Sequence, residues 1–385
     1  MKSIYMDHSA TTPVRPEVIE AMSPYFGDLF GNPSSVHTAG RRAHEALEAA
    51  RGAVAAAIGA APGEIIFTGS GTESDNLAIQ GVAAATGKRH VITSAIEHQA
   101  VLNTCLALER RGFEVTRLPV DAFGRVSVRS LAEALRDDTC LVTIMLANNE
   151  VGTIQAIREL AARAAEAGVP FHTDAVQAVG KIPVDVDELG VHLLSLSAHK
   201  FYGPKGVGAL YVRPGTRLHA VQHGGHHERG LRAGTENVAG IVGMARALDL
   251  AVAEMPVEAP RLRGLRDRLA SILTKRVPEC RLNGHPEHCL PHIANLSFEN
   301  VEGESLLMSL DAFGIAVSTG SACTSGTLEP SHVLTSMGIP PEKSHGSLRF
   351  SLGRANTVED VDYVIEKLPA IVERFRQMSP FAGRT

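Results

Sequence analysis

Three segments of the sequence place reactive side chains directly after short apolar runs. In VPFHTDAVQAVG the run ends near an acid, Asp174, and in LLSLSAHKFYGPKG it ends near a lysine, Lys200. In EIIFTGSGTESDN the run leads into a Gly/Ser/Thr turn and a predicted helix that Glu73 opens. A desolvated lysine has a lowered pKa that suits Schiff-base formation. An acid can pair with a cationic ring, and the N–H groups at a helix start bind phosphate.

Each of these features also has an ordinary structural interpretation when it is taken alone. Asp174 could cap the following helix, and the Gly/Ser/Thr turn could be a plain turn with an N-cap. Lys200 could be a solvated turn residue, which is what we expect of Lys205 in GPKG. Together, however, the three features match pyridoxal phosphate, which needs a Schiff-base lysine, an acid for its pyridine nitrogen and a phosphate clamp. We therefore predict a pyridoxal-phosphate site.

The surrounding sequence predicts an α/β fold that would bring these segments together. Apolar, β-branched runs alternate with Ala-, Leu- and Glu-rich runs of helical length, which is typical of a mostly parallel central sheet flanked by helices. Ligands of such sheets bind outside the carboxyl ends of the strands, where all three segments lie. The predicted strands are 64–68, 90–93, 141–146, 170–172, 193–196 and 207–212.

The character of the chain changes after about residue 255. EMPVEAPRLRGLRDRLASIL is typical of a linker followed by a long helix, and strand-like runs follow around 293–298 and 348–352. Pro256 and Pro260 favour a boundary in this region. The sequence therefore predicts a second, smaller α+β domain.

Composition and charge exclude several classes of protein. A chain of 385 residues with 44% apolar composition can bury a large core. Its formal net charge of -5 offers no electrostatic footprint for nucleic acid or an anionic membrane. The first residues contain no apolar signal segment, and no later stretch approaches the roughly 18 apolar residues that span a bilayer. We expect a cytoplasmic protein that binds neither nucleic acid nor membrane.

Five cysteines without a CxxC pair argue against a disulfide framework or a zinc knuckle. Cys323 differs from the others because it lies in TGSACTSGT, a Gly/Ser/Thr-rich loop without apolar periodicity. An accessible thiolate in such a loop can act as a nucleophile. We expect structural roles for the remaining cysteines, which are Cys105, Cys140, Cys280 and Cys289.

Many motifs in register make the chain similar to the cysteine desulfurases of the NifS/IscS type, which are class V aminotransferases of the fold-type I pyridoxal-phosphate group. They run nearly from end to end and include DHSATTPVRPEV, FTGSGTESDN, SAIEHQAV, ANNEVGTIQ, HTDAVQAVGK, SLSAHKFYGPKG, ERGLRAGTENV, STGSACTSGT and SLRFSLG. The resemblance implies a large cofactor-binding domain over 16–255. It also implies a small domain formed by 1–15 and 256–385, which carries the cysteine loop at about 318–330.

The resemblance assigns a cofactor role to each predicted site residue. Lys200 would form the Schiff base, Asp174 would keep the pyridine nitrogen protonated, and His98 would stack on the ring and move protons. Gln177 would contact the phenolic oxygen of the cofactor, and Asn149 also belongs to the cofactor site. The implied phosphate ligands are Gly71, Thr72, Ser197, His199 and Thr235, the last from the neighbouring subunit of a homodimer.

The resemblance further implies how the substrate is bound and where its sulfur goes. Asn149 and Arg349 would hold the α-carboxylate of L-cysteine, a task that suits an amide and a planar guanidinium. The Cys323 thiolate would attack the substrate sulfur, form a persulfide and release alanine. The implied acceptor is a U-type iron–sulfur scaffold protein or another sulfur acceptor. Cys323 would there also serve as a metal ligand to the nascent cluster.

Two alternatives follow from the same residues. An aminotransferase or a selenocysteine lyase of the same fold would keep the cofactor but would not require Cys323 in the same way. A non-catalytic scaffold for iron–sulfur assembly would need neither the cofactor nor a reactive cysteine. The intact Lys200, Asp174, His98 and Cys323 argue against it.

One segment departs from the family pattern, because QHGGHHERG has His226 where relatives often have a third glycine. A metal site at His223, His226 and His227 is disfavoured, since no acidic or cysteine ligand stands in a recognised spacing with them. We expect altered loop packing near Thr235 instead. No function is assigned to His8 in the DHSATT segment.

Overall fold

A seven-stranded sheet lies at the centre of the protein, whose computed structural model describes residues 3–319 and 330–378. The strands within these ranges are β1 Ile4–Tyr5, β2 Ile65–Thr68, β3 His90–Ser94, β4 Glu114–Leu118, β5 Thr139–Thr143, β6 Phe171–Asp174, β7 Leu193–Ser197, β8 Gly208–Val212, β9 Cys280–Asn283, β10 Ile293–Phe298, β11 Ile315–Ala316 and β12 Ser347–Ser351. The central sheet has the order β2-β8-β7-β6-β5-β3-β4. Its strands from β7 to β4 run parallel, whereas β8 is antiparallel to both neighbours. The prediction of a mostly parallel sheet is confirmed.

Helices cover the sheet and explain why its inner strands are buried at every position. The helices of the described residues are α1 Pro16–Met22, α2 Thr38–Ala56, α3 Gly71–Ala85, α4 Gln99–Glu109, α5 Val128–Ala134, α6 Ile157–Glu166, α7 Val186–Leu189, α8 Val238–Arg276, α9 Gly303–Asp311, α10 His332–Ser336, α11 Pro341–Ser344 and α12 Val358–Met378. Strands β3, β5, β6 and β7 are buried throughout, as expected when both faces of a parallel sheet are covered. None of the helices in the two described ranges has the length and apolarity needed to cross a bilayer.

Two strand predictions differ from the structure for physical reasons. Strand β4 was not predicted, because EVTRL is polar and partly exposed, as an edge strand with a single neighbour can be. The predicted strand 141–146 begins earlier, at Thr139, and ends at Thr143. Beyond it, the Ile144 N–H still donates to the His172 carbonyl at 3.1 Å and the Leu146 N–H to the Asp174 carbonyl at 2.8 Å.

A second hydrophobic core lies around a three-stranded antiparallel sheet of order β12-β10-β9. The first strand of the chain, β1, pairs in parallel with β11 and packs into the same core through Ile4. Helix α8 connects this core to the hydrophobic core of the central sheet. Its residues 241–248 pack in the core of the central sheet, and its residues 262–273 pack in the second core. The segment predicted as a linker is therefore helical, and Pro256 and Pro260 lie inside α8. The division into domains at residue 255 stays a prediction, and that position falls within this helix.

Candidate active site

The N-terminus of α3 forms a narrow cradle against the end of β7. Ser70 caps the helix, with its Oγ accepting from the Glu73 N–H at 3.1 Å, while Glu73 Oε2 accepts from the Gly69 N–H at 2.8 Å. A Cβ atom at Gly71 would lie 2.7 Å from Val176 Cγ2 and 3.3 Å from Ser197 Cβ. A side chain here would push against Val176, so glycine favours this close approach of the helix start to β7, and the N–H groups of a first helical turn can bind an anion.

Asp174 ends β6 and is buried, with 6% of its surface exposed. Its Oδ1 accepts from the Val176 N–H at 2.9 Å. Burial raises the pKa of this carboxyl, while nearby His98 and Lys200 lower it. A buried carboxylate whose charge is opposed by burial and favoured by nearby cations is stabilised by a further cationic partner.

Lys200 follows β7 in a short 3₁₀ helix, Ala198–Lys200. Its Nζ donates to the carbonyl of Ser9 at 2.6 Å and to that of Ala10 at 2.8 Å. Lys205, five residues further on, is exposed as predicted. The two carbonyls fix the position of the Lys200 amine next to Asp174 and His98, whose pKa values it affects.

His98 is the N-cap of α4, and its Nδ1 accepts from the Ala100 N–H at 3.2 Å. Burial lowers the pKa of His98 most strongly, Asp174 raises it, and Lys200 and His332 lower it further. A ring nitrogen that accepts a hydrogen bond carries no proton, so His98 is neutral in this arrangement. Its other nitrogen is then the one that can carry a proton near Asp174 and Lys200.

The N-terminal segment 7–12 forms one wall of this site, a role that sequence reasoning missed. Gln177 Nε2 donates to the Ser9 carbonyl at 2.9 Å, and His199 Nδ1 lies 3.1 Å from Thr11 Oγ1. Burial lowers the pKa of His199 to about 4, followed in effect by Lys200 and Lys205. The available signal was the DHSATT motif itself, which falls outside every strand-end pattern.

Arg349 lies in β12 and is 4% exposed. Its Nη1 donates to the Asn149 carbonyl at 3.0 Å, and its Nη2 forms an ion pair with Asp7 Oδ1 at 2.8 Å. Its Nε is buried and has no hydrogen-bond partner among the residues that the structure describes. The arrangement brings the two predicted carboxylate ligands together and adds Asp7, which sequence analysis did not single out.

Behind Asp174, a polar network crosses the sheet beneath α3. His172 lies 2.8 Å from Thr143 Oγ1 through Nδ1 and 3.0 Å from Ser195 Oγ through Nε2. Asp75 of α3 is 1% exposed, and burial raises the pKa of its carboxyl, as does Asp174. Burial lowers the pKa of His172 to about 3, so this ring is neutral at physiological pH. The network makes the floor of the site polar, and because His172 is neutral it adds no positive charge there.

The roles assigned to Thr235 and Cys323 stay predictions. Thr235 is exposed, and its predicted role requires a neighbouring subunit. Cys323 lies outside the described residues. On one flank of its segment, the Arg349 N–H donates to the Ser318 carbonyl at 2.7 Å, and on the other Ser331 Oγ donates to Glu150 at 2.5 Å. Both flanks thus contact residues of the carboxylate site or their direct neighbours.

Three of the remaining cysteines and the histidine-rich loop lack the features of reactive sites. Burial raises the pKa of Cys105 to about 12, of Cys140 to about 11 and of Cys280 to about 12. Over residues 3–319 and 330–378, no group of three or more His, Cys, Asp or Glu side chains could hold a metal ion. In the loop near Thr235, His227 Nδ1 instead accepts from the Gly234 N–H at 3.2 Å.

Comparisons with known proteins agree on one family. The family model described as Aminotransferase class-V matches residues 4–364. The "Cysteine desulfurase IscS" of Dictyoglomus turgidum is 55% identical, with 99% of this chain and 97% of that protein covered. The same-named protein of Methanosarcina thermophila is 56% identical over 100% of this chain and 95% of its own length.

Solved structures show the same relationship in three dimensions. A structure titled "NIFS-LIKE PROTEIN" has a TM-score of 0.91 and 41% identity, covering 97% of this chain and 100% of that one. Another, "SspA in complex with cysteine", has a TM-score of 0.81 and 40% identity, covering 91% and 99%. Enzymes of this family depend in general on pyridoxal phosphate. The matched length and identity establish that the chain belongs to the class-V aminotransferase family, among the cysteine desulfurases of the NifS/IscS type.

Proposed function

We propose that this protein takes sulfur from L-cysteine, releases L-alanine and holds the sulfur as a persulfide on Cys323. One observation carries the proposal: Lys200 lies close enough to Asp174 and His98 to affect their pKa values. The N-terminal segment 7–12, which binds the Lys200 Nζ, also forms the ion pair with Arg349. The relatives named as cysteine desulfurases support the same chemistry.

The residues of the cluster fit pyridoxal phosphate. The N–H groups of Gly71 and Thr72 at the start of α3, with the neighbouring Ser197 and His199, would hold its phosphate, because the N-terminus of a helix binds anions. The buried carboxylate of Asp174 would pair with the pyridine nitrogen. The Lys200 amine would carry the Schiff base. When bound, the cofactor supplies an electron-withdrawing ring that accepts the electron pair released at the substrate α-carbon.

Further residues would orient the cofactor and complete the site. His98 would lie against the ring, and Gln177, whose Nε2 donates to the Ser9 carbonyl in the structure, would donate to the phenolic oxygen of the cofactor. Asn149 would also contact the cofactor. Thr235 would reach the phosphate from the second subunit of a homodimer.

The chain's own groups would bind the substrate and move its protons. Arg349, whose buried Nε has no partner in the described residues, would take the α-carboxylate together with Asn149. The Lys200 Nζ, positioned by the carbonyls of Ser9 and Ala10, would remove the α-proton. His98 would carry a proton on the ring nitrogen that does not bond Ala100.

The sulfur-transfer step balances without an external oxidant. The Cys323 thiolate attacks the substrate sulfur, so that an S–S bond forms while the bond between sulfur and the β-carbon breaks. The β-carbon takes up a proton, and the products are L-alanine and a Cys323 persulfide. We infer that the persulfide sulfur passes to a U-type iron–sulfur scaffold protein or another sulfur acceptor, where Cys323 would also ligate the nascent cluster.

The test is to measure alanine and sulfide formed from L-cysteine by the purified protein with a thiol reductant present. Equimolar alanine and sulfide are expected, and Cys323→Ala should abolish both. Cys280→Ala is the matched control, because burial raises the pKa of that thiol and its loss should leave turnover unchanged. Pyruvate and ammonia would indicate a lyase of another type. Full turnover by Cys323→Ala would refute the persulfide step, and no product from the wild type would favour a scaffold.

A further inference from the structure

The Arg349 guanidinium is held from two sides in a buried place. Nη2 is 2.8 Å from Asp7 Oδ1, and Nη1 is 3.0 Å from the Asn149 carbonyl oxygen. The third nitrogen, Nε, is buried and unpartnered among the described residues. Because a buried N–H without an acceptor is costly, this donor needs an acceptor from outside the described residues, which a ligand carboxylate would supply.

The position of Asp7 is fixed by main-chain contacts to the strand that carries Arg349. Asp7 forms a parallel β-bridge with Ser351. The Ser351 N–H donates to the Met6 carbonyl at 2.8 Å, and the His8 N–H donates to the Ser351 carbonyl at 3.1 Å. The Tyr5 hydroxyl also donates to the Asp7 carbonyl at 3.0 Å. The carboxylate of Asp7 is therefore presented to Arg349 by a fixed backbone.

We infer that Asp7 is a positioning residue for substrate binding, which holds Arg349 so that its Nε faces the α-carboxylate of the amino acid. Asp7 binds one terminal nitrogen and the Asn149 carbonyl binds the other, so the guanidinium plane cannot rotate. Asp7 also compensates a buried positive charge when no substrate is bound. The inference rests on the proposed function, since it assigns a partner to the residue that would bind the substrate carboxylate.

The experiment compares two ligands that differ in the carboxylate. L-alanine carries it and ethylamine lacks it, and both are titrated into the cofactor-loaded enzyme while its visible absorbance is followed. Asp7→Ala should weaken L-alanine binding by roughly 10- to 100-fold, the range for losing a hydrogen bond to a charged group. Ethylamine binding should stay within about 2-fold, because the amine does not use Arg349. In turnover assays, KM for L-cysteine should rise while kcat changes little.

Asp7→Asn provides a second test with almost unchanged shape. The amide keeps an oxygen that can accept from Nη2 but loses the charge, so L-alanine binding should weaken by about 3- to 10-fold, less than in Asp7→Ala. This variant keeps the inference testable if Asp7→Ala does not fold. Wild-type discrimination between L-alanine and ethylamine in Asp7→Asn and in any folded Asp7→Ala protein would overturn the positioning role.

Arg349→Lys separates failure of this inference from failure of the proposed function. If Arg349→Lys weakens L-alanine binding but neither Asp7 variant does, the role of Asp7 is wrong and the proposed function stands. If Arg349→Lys also leaves the discrimination between the two ligands unchanged, Arg349 does not bind the carboxylate. The substrate site of the proposed function is then wrong as well.

Discussion

A buried ion pair between Glu228 and Arg51 holds the segment 228–238, ERGLRAGTENV, against the body of the protein. This segment contains Thr235. Glu228 Oε2 lies 2.8 Å from Arg51 Nη1, and Glu228 Oε1 lies 2.9 Å from Arg51 Nη2. The side chains are 1% and 6% exposed, respectively. Glu228 Oε2 also accepts from the Phe67 N–H of β2 at 2.8 Å. Glu228 has a φ of 44°, a conformation that side chains disfavour, so these contacts also hold a strained turn.

We predict that Glu228→Gln destabilises the protein by about 3–5 kcal/mol, the usual cost of removing one partner from a buried ion pair. The substitution removes the buried counter-charge of Arg51 and leaves only Glu48, whose 45% exposed carboxylate lies 3.0 Å from Arg51 Nε. It also turns an amide N–H₂ group toward donors that need acceptors, namely the two nitrogens of Arg51 or the N–H of Phe67. Both effects arise because two hydrogen bonds join the Glu228 carboxylate to Arg51, so the total loss of stability should be much larger than for an exposed ion pair.

The assay is urea unfolding of the cofactor-loaded enzyme, with Glu133→Gln as the matched control. Glu133 Oε1 is 2.8 Å from Arg129 Nε, but those side chains are 64% and 87% exposed. Exposed pairs on a helix contribute only about 0.3–0.5 kcal/mol. A loss in Glu228→Gln within 1 kcal/mol of the control would refute the reasoning. Arg51→Met combined with Glu228→Gln should recover part of the loss, because no charge then remains buried.

Two further predictions concern lysines. Lys200→Ala should abolish turnover and the visible absorbance of a cofactor Schiff base. Lys205→Ala replaces an exposed lysine and should keep both properties. Absorbance spectra recorded after dialysis check this prediction. Burial lowers the pKa of Lys181 from its usual 10.5 to about 8. Between about pH 8 and 10.5 the Lys181 amine is protonated in the unfolded chain but not in the folded one. The free energy of unfolding should therefore rise by about 3 kcal/mol as the pH increases over this range. Urea unfolding at both pH values should show that Lys181→Met loses this rise, and an equal rise in the variant would contradict the assignment.

The strand ends of the central sheet could be predicted because their signals are local. An apolar run followed by Asp174 or Lys200 predicts, within a few residues, both the end of a strand and the polar group that follows it. The parallel sheet then places such ends at one edge. The same local logic failed for β4, whose polar sequence satisfies an edge position. It also failed for Pro256 and Pro260, because packing of both ends of α8 in different cores outweighs their helix-breaking tendency.

The contacts that complete the site could not be predicted from local patterns. Asp7 and Arg349 are separated by 342 positions, and only the pairing of the N-terminal segment with β12 brings them together. The carbonyls of Ser9 and Ala10 that bind Lys200 are main-chain groups, which carry no sequence signature. Motif resemblance identified Arg349 and Asn149 as a pair, but it gave no reason to look for an acid opposite them.

The pairing of β1 with β11 imposes an order of events during translation. Ile4 and Tyr5 leave the ribosome first, yet their partners Ile315 and Ala316 are made about 310 residues later. At about 5–20 residues per second, that interval is roughly 15–60 s. The nascent chain can fold the central sheet during this time, but β1 has no strand to pair with until β11 is made. The candidate site is therefore completed last, when synthesis is nearly finished, by the earliest-made part of the chain.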